Sequence, residues 1–301
     1  MLDIISVGPG EAVLLTDDAK QAIDRADAVW CAARHAVLVP PEKARPLSPL
    51  EGAIEQMRLS SDAGQSAAVL VSGDAGLYSL LEMLKRKIGG EYLRVHPGVS
   101  ALQLFAARLG VSWQDAKILS AHGRALSESA LCHAVRTHRQ TFCFLDAAHN
   151  PAWVRESLNL GGLENVRLFV GERLSYPDER TEAYDPDATY DPLCMAYIEN
   201  DAPESGLPPV GLSDEAFICG KTPMTKRDVR ALVVSALHLK PNGVVWDIGA
   251  GTGSVSVECA RQCPLGEVYA VEMKDEALDL IRRNAERFHA LNLRVVPGRA
   301  P

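Results

Sequence analysis

Residues 246–254 read WDIGAGTGS: an aspartate closes an apolar run, and Gly249, Gly251 and Gly253 follow at alternate positions. Glycines at a strand-to-helix turn let backbone N–H groups approach a ligand closely and leave the helix N-terminus facing it. A dinucleotide fingerprint, GxGxxG/A, needs its third small residue at position 254, where Ser254 stands. Glu272 ends the next apolar run, VYAVEM, near the distance at which an acid accepts hydrogen bonds from ribose hydroxyls. With no pyrophosphate to cradle, the spacing suits S-adenosyl-L-methionine better than NAD. A glycine-rich turn without a ligand is the bland alternative.

Other glycine loops carry weaker signals. Gly8-Pro9-Gly10 and Gly73-Asp74-Ala75-Gly76 both follow apolar runs, which predicts that they share one edge of a parallel sheet, where open α/β folds bind ligands. Each alone reads first as a tight turn. Gly220-Lys221-Thr222 resembles the end of a P-loop, but Glu215 replaces the required first glycine and Pro223 stands where a helix should run. Gly98-Val99-Ser100 lacks the second glycine of a nucleophile elbow, because Leu102 is there. The seven cysteines form no CxxC pair, so neither a zinc site nor a disulfide framework is expected.

The elements that must hold these loops alternate in type. LDIISV, AVWCA, AAVLVS and YLRV read as strands, and helices follow from an N-cap at Thr16, from about Leu77 to Ile88, and after HPGVSA. KILSA, TFCFLD, VRLFVG and CMAYIE form a second block of strands, with helices near 127–138 and 151–160. DAPESGLPPVGLSDEAF (201–217) reads as a linker. A helix (226–238) and the strands VVWDIG, VYAVEM and LRVVP, separated by further helices, complete the chain. The pattern predicts an α/β protein with parallel, helix-covered sheets.

In order along the chain, VGPG, VSGDAGLYSLL, HPGVSALQLFAARLGVSWQDAKILSAHGR and GERLSYPDER resemble the tetrapyrrole (corrin/porphyrin) methylase family, in the branch that acts on precorrin-6. MTKRDVRALVVSALHLKPNGVVWDIGAGTG, YAVEM and VVPGRAP resemble the class I methyltransferase domain that acts with it. The resemblance implies a two-lobed methylase domain over 1–205 (lobes about 1–115 and 116–205), a linker over 206–223, and part of a Rossmann-like methyltransferase domain over 224–301. It further implies that S-adenosylmethionine is bound between the lobes by Pro9, Gly73, Asp74, Ala75, Ser100 and Ala101. FLDAA and GERLSYPDER would add to the wall of the second lobe. In the C-terminal domain, Thr225, Gly249, Ala250, Gly251, Thr252 and Gly253 would hold the cofactor, with Glu272 on the ribose and Ala300 by the adenine. The implied chemistry is methylation of ring carbons 5 and 15, with decarboxylation of the ring C acetate, in cobalamin biosynthesis. The C-terminal domain is associated with carbon 15 and the decarboxylation. Three strands are fewer than a class I methyltransferase sheet carries, so the last segment reads as truncated and only the methylase domain as complete.

Methyl transfer from a sulfonium needs alignment and water exclusion rather than a nucleophilic side chain or a metal, and no catalytic acid or base can be named from the residues. A polycarboxylate substrate needs cationic anchors: His122 and Arg124 first, then Arg34 and His35. The rest of the composition sets limits. A net charge of −8 over 301 residues supplies no basic field for nucleic acid. No apolar run spans a membrane and MLDIISVGPG is no signal peptide, so a cytoplasmic protein with reduced thiols is expected. The resemblance also implies a homo-oligomer. An NAD-dependent oxidoreductase and a non-catalytic tetrapyrrole-binding module remain as alternatives.

Overall fold

The computed structural model describes residues 1–299. In chain order it contains β1 (Leu2–Ser6), α1 (Asp17–Arg25), β2 (Ala28–Cys31), β3 (Ala44–Pro46), α2 (Leu50–Asp62), β4 (Ala67–Val71), α3 (Leu81–Ile88), β5 (Leu93–His96) and α4 (Ala101–Leu109). Then follow β6 (Lys117–Ser120), α5 (Glu128–Thr137), β7 (Gln140–Phe144), α6 (Pro151–Leu160), β8 (Arg167–Glu172), β9 (Arg180–Ala183) and β10 (Cys194–Glu199). The last elements are α7 (Arg227–Ala236), β11 (Val244–Ile248), α8 (Ser254–Gln262), β12 (Glu267–Glu272), α9 (Asp275–Arg287) and β13 (Leu293–Pro297). The sheets have the orders β3-β2-β4-β1-β5, β6-β7-β10-β8-β9 and β11-β12-β13. The α/β class with parallel sheets expected from the alternating pattern is what the chain adopts.

The chain divides into two compact units, Met1–Gln114 with Val170–Glu182 and Leu193–Met195, and the remainder. In the first unit, alternation along the strands feeds two cores, one on each sheet face. Ile4, Val69 and Val71 pack with Ile54 and Met57 of α2 and Leu84 of α3, while Ile5, Ala68 and Leu70 pack with Ala19, Ala22 and Ile23 of α1. The segment Val170–Glu182 belongs to this unit through Phe105 of α4, against which Gly171 lies, and through an ion pair of Arg108 with Glu179 at 2.5 Å. In the second unit Val234 of α7, Val257 of α8 and Ile281 of α9 share a core with Val268 and Ala270 of β12.

Three local differences from the sequence reading have physical causes. The helix expected from Leu77 begins at Leu81, because Leu77 N–H closes a turn on the Asp74 carbonyl (3.1 Å) and Tyr78 takes a left-handed φ of 51°. The sequence reading passes over β3 and α2; β3 has only three residues, but Ala53, Ile54 and Met57 carry a legible helical stripe in α2. The segment read as a linker is fastened down: Glu258 accepts from Gly211 and Leu212 N–H (2.6 and 3.1 Å), and Phe217 is buried.

Candidate functional site

In the first unit the sheet order places β1 between β4 and β5. The chain leaves β1 toward β2 and leaves β4 toward β5, in opposite directions, which makes the gap between their C-terminal ends a topological switch point. There the Gly8 and Gly73 loops are joined by a reciprocal pair of backbone hydrogen bonds, at 3.2 and 2.7 Å. Pro9 is buried behind this bridge. Asp74, half-buried, ties two loops together: its Oδ1 accepts from Gly76 N–H (2.8 Å) and its Oδ2 from Gly98 N–H (3.2 Å). Ala75 N–H donates to Ser6 Oγ (2.9 Å), a partner that the sequence reading did not single out. Gly98 is required by close approach, since a Cβ there would meet Ser6 Cβ at 2.7 Å and Ser6 O at 2.9 Å.

Ser100 and Ala101 begin α4. Ser100 Oγ accepts from Gln103 N–H (3.2 Å) while Gln103 Oε1 accepts from Ser100 N–H (2.8 Å), a reciprocal capping box. The Ser100 oxygen is therefore a helix cap, in keeping with the rejection of a nucleophile elbow. Pro9, Gly73, Asp74, Ala75, Ser100 and Ala101 all lie at the C-terminal edge of this sheet or at the start of α4.

Arg34 and His35 follow β2 on the same sheet. Arg34 is exposed and donates to Ser72 Oγ (2.6 Å) and to His35 Nε2 (3.2 Å). His35 is 1% exposed, and burial, with the adjoining Arg34 charge, pushes its imidazole down to about 4. The expectation of a cationic anchor at His35 is corrected on this point, because a buried imidazole beside a guanidinium stays neutral near pH 7. His122 and Arg124, in the second unit, are exposed in a turn closed by Arg124 N–H on Ala121 O (3.2 Å).

The second glycine loop joins β11 to α8. Gly249, Gly251 and Gly253 have φ values of 80°, 57° and 76°. At Gly253 the need for glycine is double, because a Cβ would also lie 3.0 Å from Ile281 Cγ1. Gly249 and Ala250 N–H both donate to Val271 O, which turns the loop back over the end of β12. Glu272 then collects three backbone donors: Gly251 on Oε2 (3.0 Å), and Met273 and Lys274 on Oε1 (2.8 and 3.1 Å). Burial works to raise its carboxyl, but these bonds and the Lys274 charge outweigh it and hold the group below the usual range. A carboxylate offers about four acceptor sites, so one on Oε2 remains for a ligand hydroxyl.

Thr225 and Thr252 are positioned by residues that the sequence did not flag. Arg230, with its side chain fully buried, donates to Thr225 O (2.6 Å) and pairs with Glu258 (2.6 Å) and Asp214 (3.2 Å). Asn284 donates to Thr252 O (2.9 Å). Asp247, ahead of the glycines, is raised by burial and accepts from Ser256 Oγ at 2.5 Å. Ala300 lies outside the described residues.

Residues 1–185 match the family described as tetrapyrrole (corrin/porphyrin) methylases. The chain belongs to that family. Residues 216–301 of this methylase match a second family, the precorrin methyltransferase domain. The methylase is 32% identical to the precorrin-6Y C(5,15)-methyltransferase [decarboxylating] of Sinorhizobium sp, over 100% of this chain and 74% of that protein. It is 46% identical over 91 residues to the cobalt-precorrin-6B C(15)-methyltransferase (decarboxylating) of Salmonella typhimurium, which covers 30% of this chain and 47% of that protein. Its fold is similar to the crystal structure of a precorrin-6Y methylase from Archaeoglobus fulgidus, with a TM-score of 0.51 at 21% identity over 67% of this chain and 98% of that one. Among the described residues of the methylase, no helix is long and apolar enough to cross a membrane.

Proposed function

We propose that this methylase is an S-adenosylmethionine-dependent C-methyltransferase of cobalamin biosynthesis, acting on a precorrin-6 intermediate at ring carbons 5 and 15 with loss of the ring C acetate carboxyl. One observation carries the reading: a single chain matches both a tetrapyrrole methylase and a precorrin methyltransferase domain, and each match contains a glycine-rich loop at the C-terminal edge of a parallel sheet. The proposed division is a methylase domain over 1–205, a joining segment over 206–223 and the N-terminal part of a methyltransferase domain over 224–301, acting as a homo-oligomer. Seven free cysteines, six of them buried, agree with a reducing compartment such as the cytoplasm.

S-adenosylmethionine supplies an electrophilic methyl group on a sulfonium. The work left to the chain is binding, alignment and exclusion of water. Pro9, Gly73, Asp74, Ala75, Ser100 and Ala101 form the first proposed cofactor edge, where Asp74 holds the two loops at a fixed separation. Thr225, Gly249, Ala250, Gly251, Thr252 and Gly253 form the second, where the spare acceptor on Glu272 is suited to a ribose hydroxyl. Arg34, His122 and Arg124 are the proposed anchors for substrate carboxylates. His35 serves beside Arg34 as an uncharged hydrogen-bonding partner.

Calorimetric titration with S-adenosylhomocysteine tests the cofactor reading. Saturable binding is expected, and Asp74→Ala should weaken the site in the first unit. Binding of a tetrapyrrole without any S-adenosylhomocysteine binding would overturn the reading in favour of a carrier. Quenching of NADH fluorescence would turn it toward an oxidoreductase.

A further inference from the structure

A cavity of about 350 Å³ lies within the second unit, away from both glycine loops. Its wall includes His133 and Arg136 of α5, Gly161 after α6, Glu204, Arg261 near the end of α8, and Arg287 at the end of α9. Three guanidinium groups therefore face one carboxylate among the lining residues. Arg136 spends one N–H on Gly161 O (2.5 Å) and keeps its Nε 3.9 Å from Glu204. Arg261 is half-buried, yet it has no hydrogen-bond or ion-pair partner among the described residues. Burial pulls its guanidinium below the ordinary value and the Arg136 charge works the same way; the opposing attraction of Glu258, itself held by Arg230, and of Glu204 does not restore it.

A guanidinium presents five donors, and removing it from water without a partner beside a like charge is costly. Water in a cavity of this size can accept some of those donors but does not cancel the repulsion between the two arginines. Burial also lowers His133, which leaves it neutral near pH 7 and able to donate one N–H. The chemistry of this wall is therefore that of an acceptor-seeking fork.

We propose that this cavity is an oxyanion site in which Arg261 and Arg136 hold a carboxylate or phosphate group. About 350 Å³ is near the lower end of ligand-pocket volumes and admits a phosphate or a short dicarboxylate, but not a tetrapyrrole ring. What enters is a free small oxyanion or one carboxylate arm of a larger molecule. The site does not depend on the methyl-transfer reading, because none of its residues lies in either glycine loop.

The test is calorimetric titration of the full chain with inorganic phosphate and, separately, with glutarate, at an ionic strength held constant with chloride. Saturable binding of at least one is expected. Binding of both identifies a site for free oxyanions; binding of glutarate alone identifies one for carboxylate arms. Arg261→Met should weaken binding about tenfold or more, the loss of a charged hydrogen-bond donor. Glu204→Gln removes the opposing carboxylate and should tighten binding severalfold, a gain that misfolding cannot imitate. Asp74→Ala should leave both titrations unchanged, which separates this site from the proposed cofactor edge. No saturable binding of either anion, or unchanged affinity in Glu204→Gln, would overturn the proposal.

Discussion

At the scale of single residues, two carboxylates and one imidazole carry the testable chemistry. Asp74 accepts one backbone N–H on each oxygen, at 2.8 and 3.2 Å, from two different loops. Bonds to a charged acceptor contribute about 1.5–3 kcal/mol each, so Asp74→Ala should lower stability by about 2 kcal/mol or more, read by denaturant unfolding. Asp74→Asn, which keeps one acceptor, should lose about half of that. Glu272→Gln should weaken S-adenosylhomocysteine binding at the second loop by about tenfold while leaving Asp74-dependent binding intact. His35 gives the pH dependence. Its folded-state value is pushed from 6.5 to about 4, so as pH falls through that window the unfolded chain takes up a proton that the folded chain refuses. Stability should therefore fall from pH 6.5 toward 4, and His35→Gln should flatten Tm against pH in that range. An undiminished slope in the variant would remove His35 from the account.

At the scale of elements, the joints between helices and loops are held by buried polar groups. Arg230 on α7 and Glu258 on α8 pair at 2.6 Å with side chains 0% and 1% exposed, and Glu258 also receives Gly211 and Leu212 N–H. Removing one partner strands a buried charge, so Arg230→Met should cost about 3–5 kcal/mol, visible as a large loss in Tm. Gly98→Ala should cost about 1–3 kcal/mol, because the new methyl meets backbone as well as side chain at Ser6 and the strand cannot retreat. Element identities were readable because apolar spacing and caps agree: Thr16 Oγ1 accepts from Ala19 N–H, and Asn150 caps α6 with Pro151 in its first turn. The buried pair was not readable. Arg230 and Glu258 look in sequence like ordinary charges on two amphipathic helices, and nothing local says that they meet.

At the scale of the whole molecule, the three-stranded sheet has one covered face and one open one. Val244, Trp246 and Ile248 on β11 are 63%, 60% and 53% exposed, and Trp246 stacks on Tyr269 with ring centroids 4.6 Å apart. Trp30, by contrast, is 2% exposed, and Trp113 is 39% exposed. Acrylamide should therefore quench a large part of the tryptophan emission, and Trp246→Gln should remove much of the quenchable fraction. Quenching left unchanged by Trp246→Gln would show that this face is covered in solution. The division of the chain at this scale departs from linear order, since Val170–Glu182 and Leu193–Met195 group with the first unit. Linear boundaries such as 115 and 205 do not express that return.

By itself the sequence determined the α/β class, most element positions and the three glycine loops. These depend on local rules: side-chain periodicity, caps, and the backbone freedom that a left-handed turn demands. Only the tertiary structure decided which groups those loops spend on themselves and which they leave for a ligand. Asp74 was legible as an acid in a turn, but its engagement with Gly98 arises from bringing together residues 24 apart in sequence. The same holds for the neutral His35 and for Arg261, which has no hydrogen-bond or ion-pair partner among the described residues. Charge state and pairing follow from burial and distant neighbours, and those exist only once the chain has closed on itself.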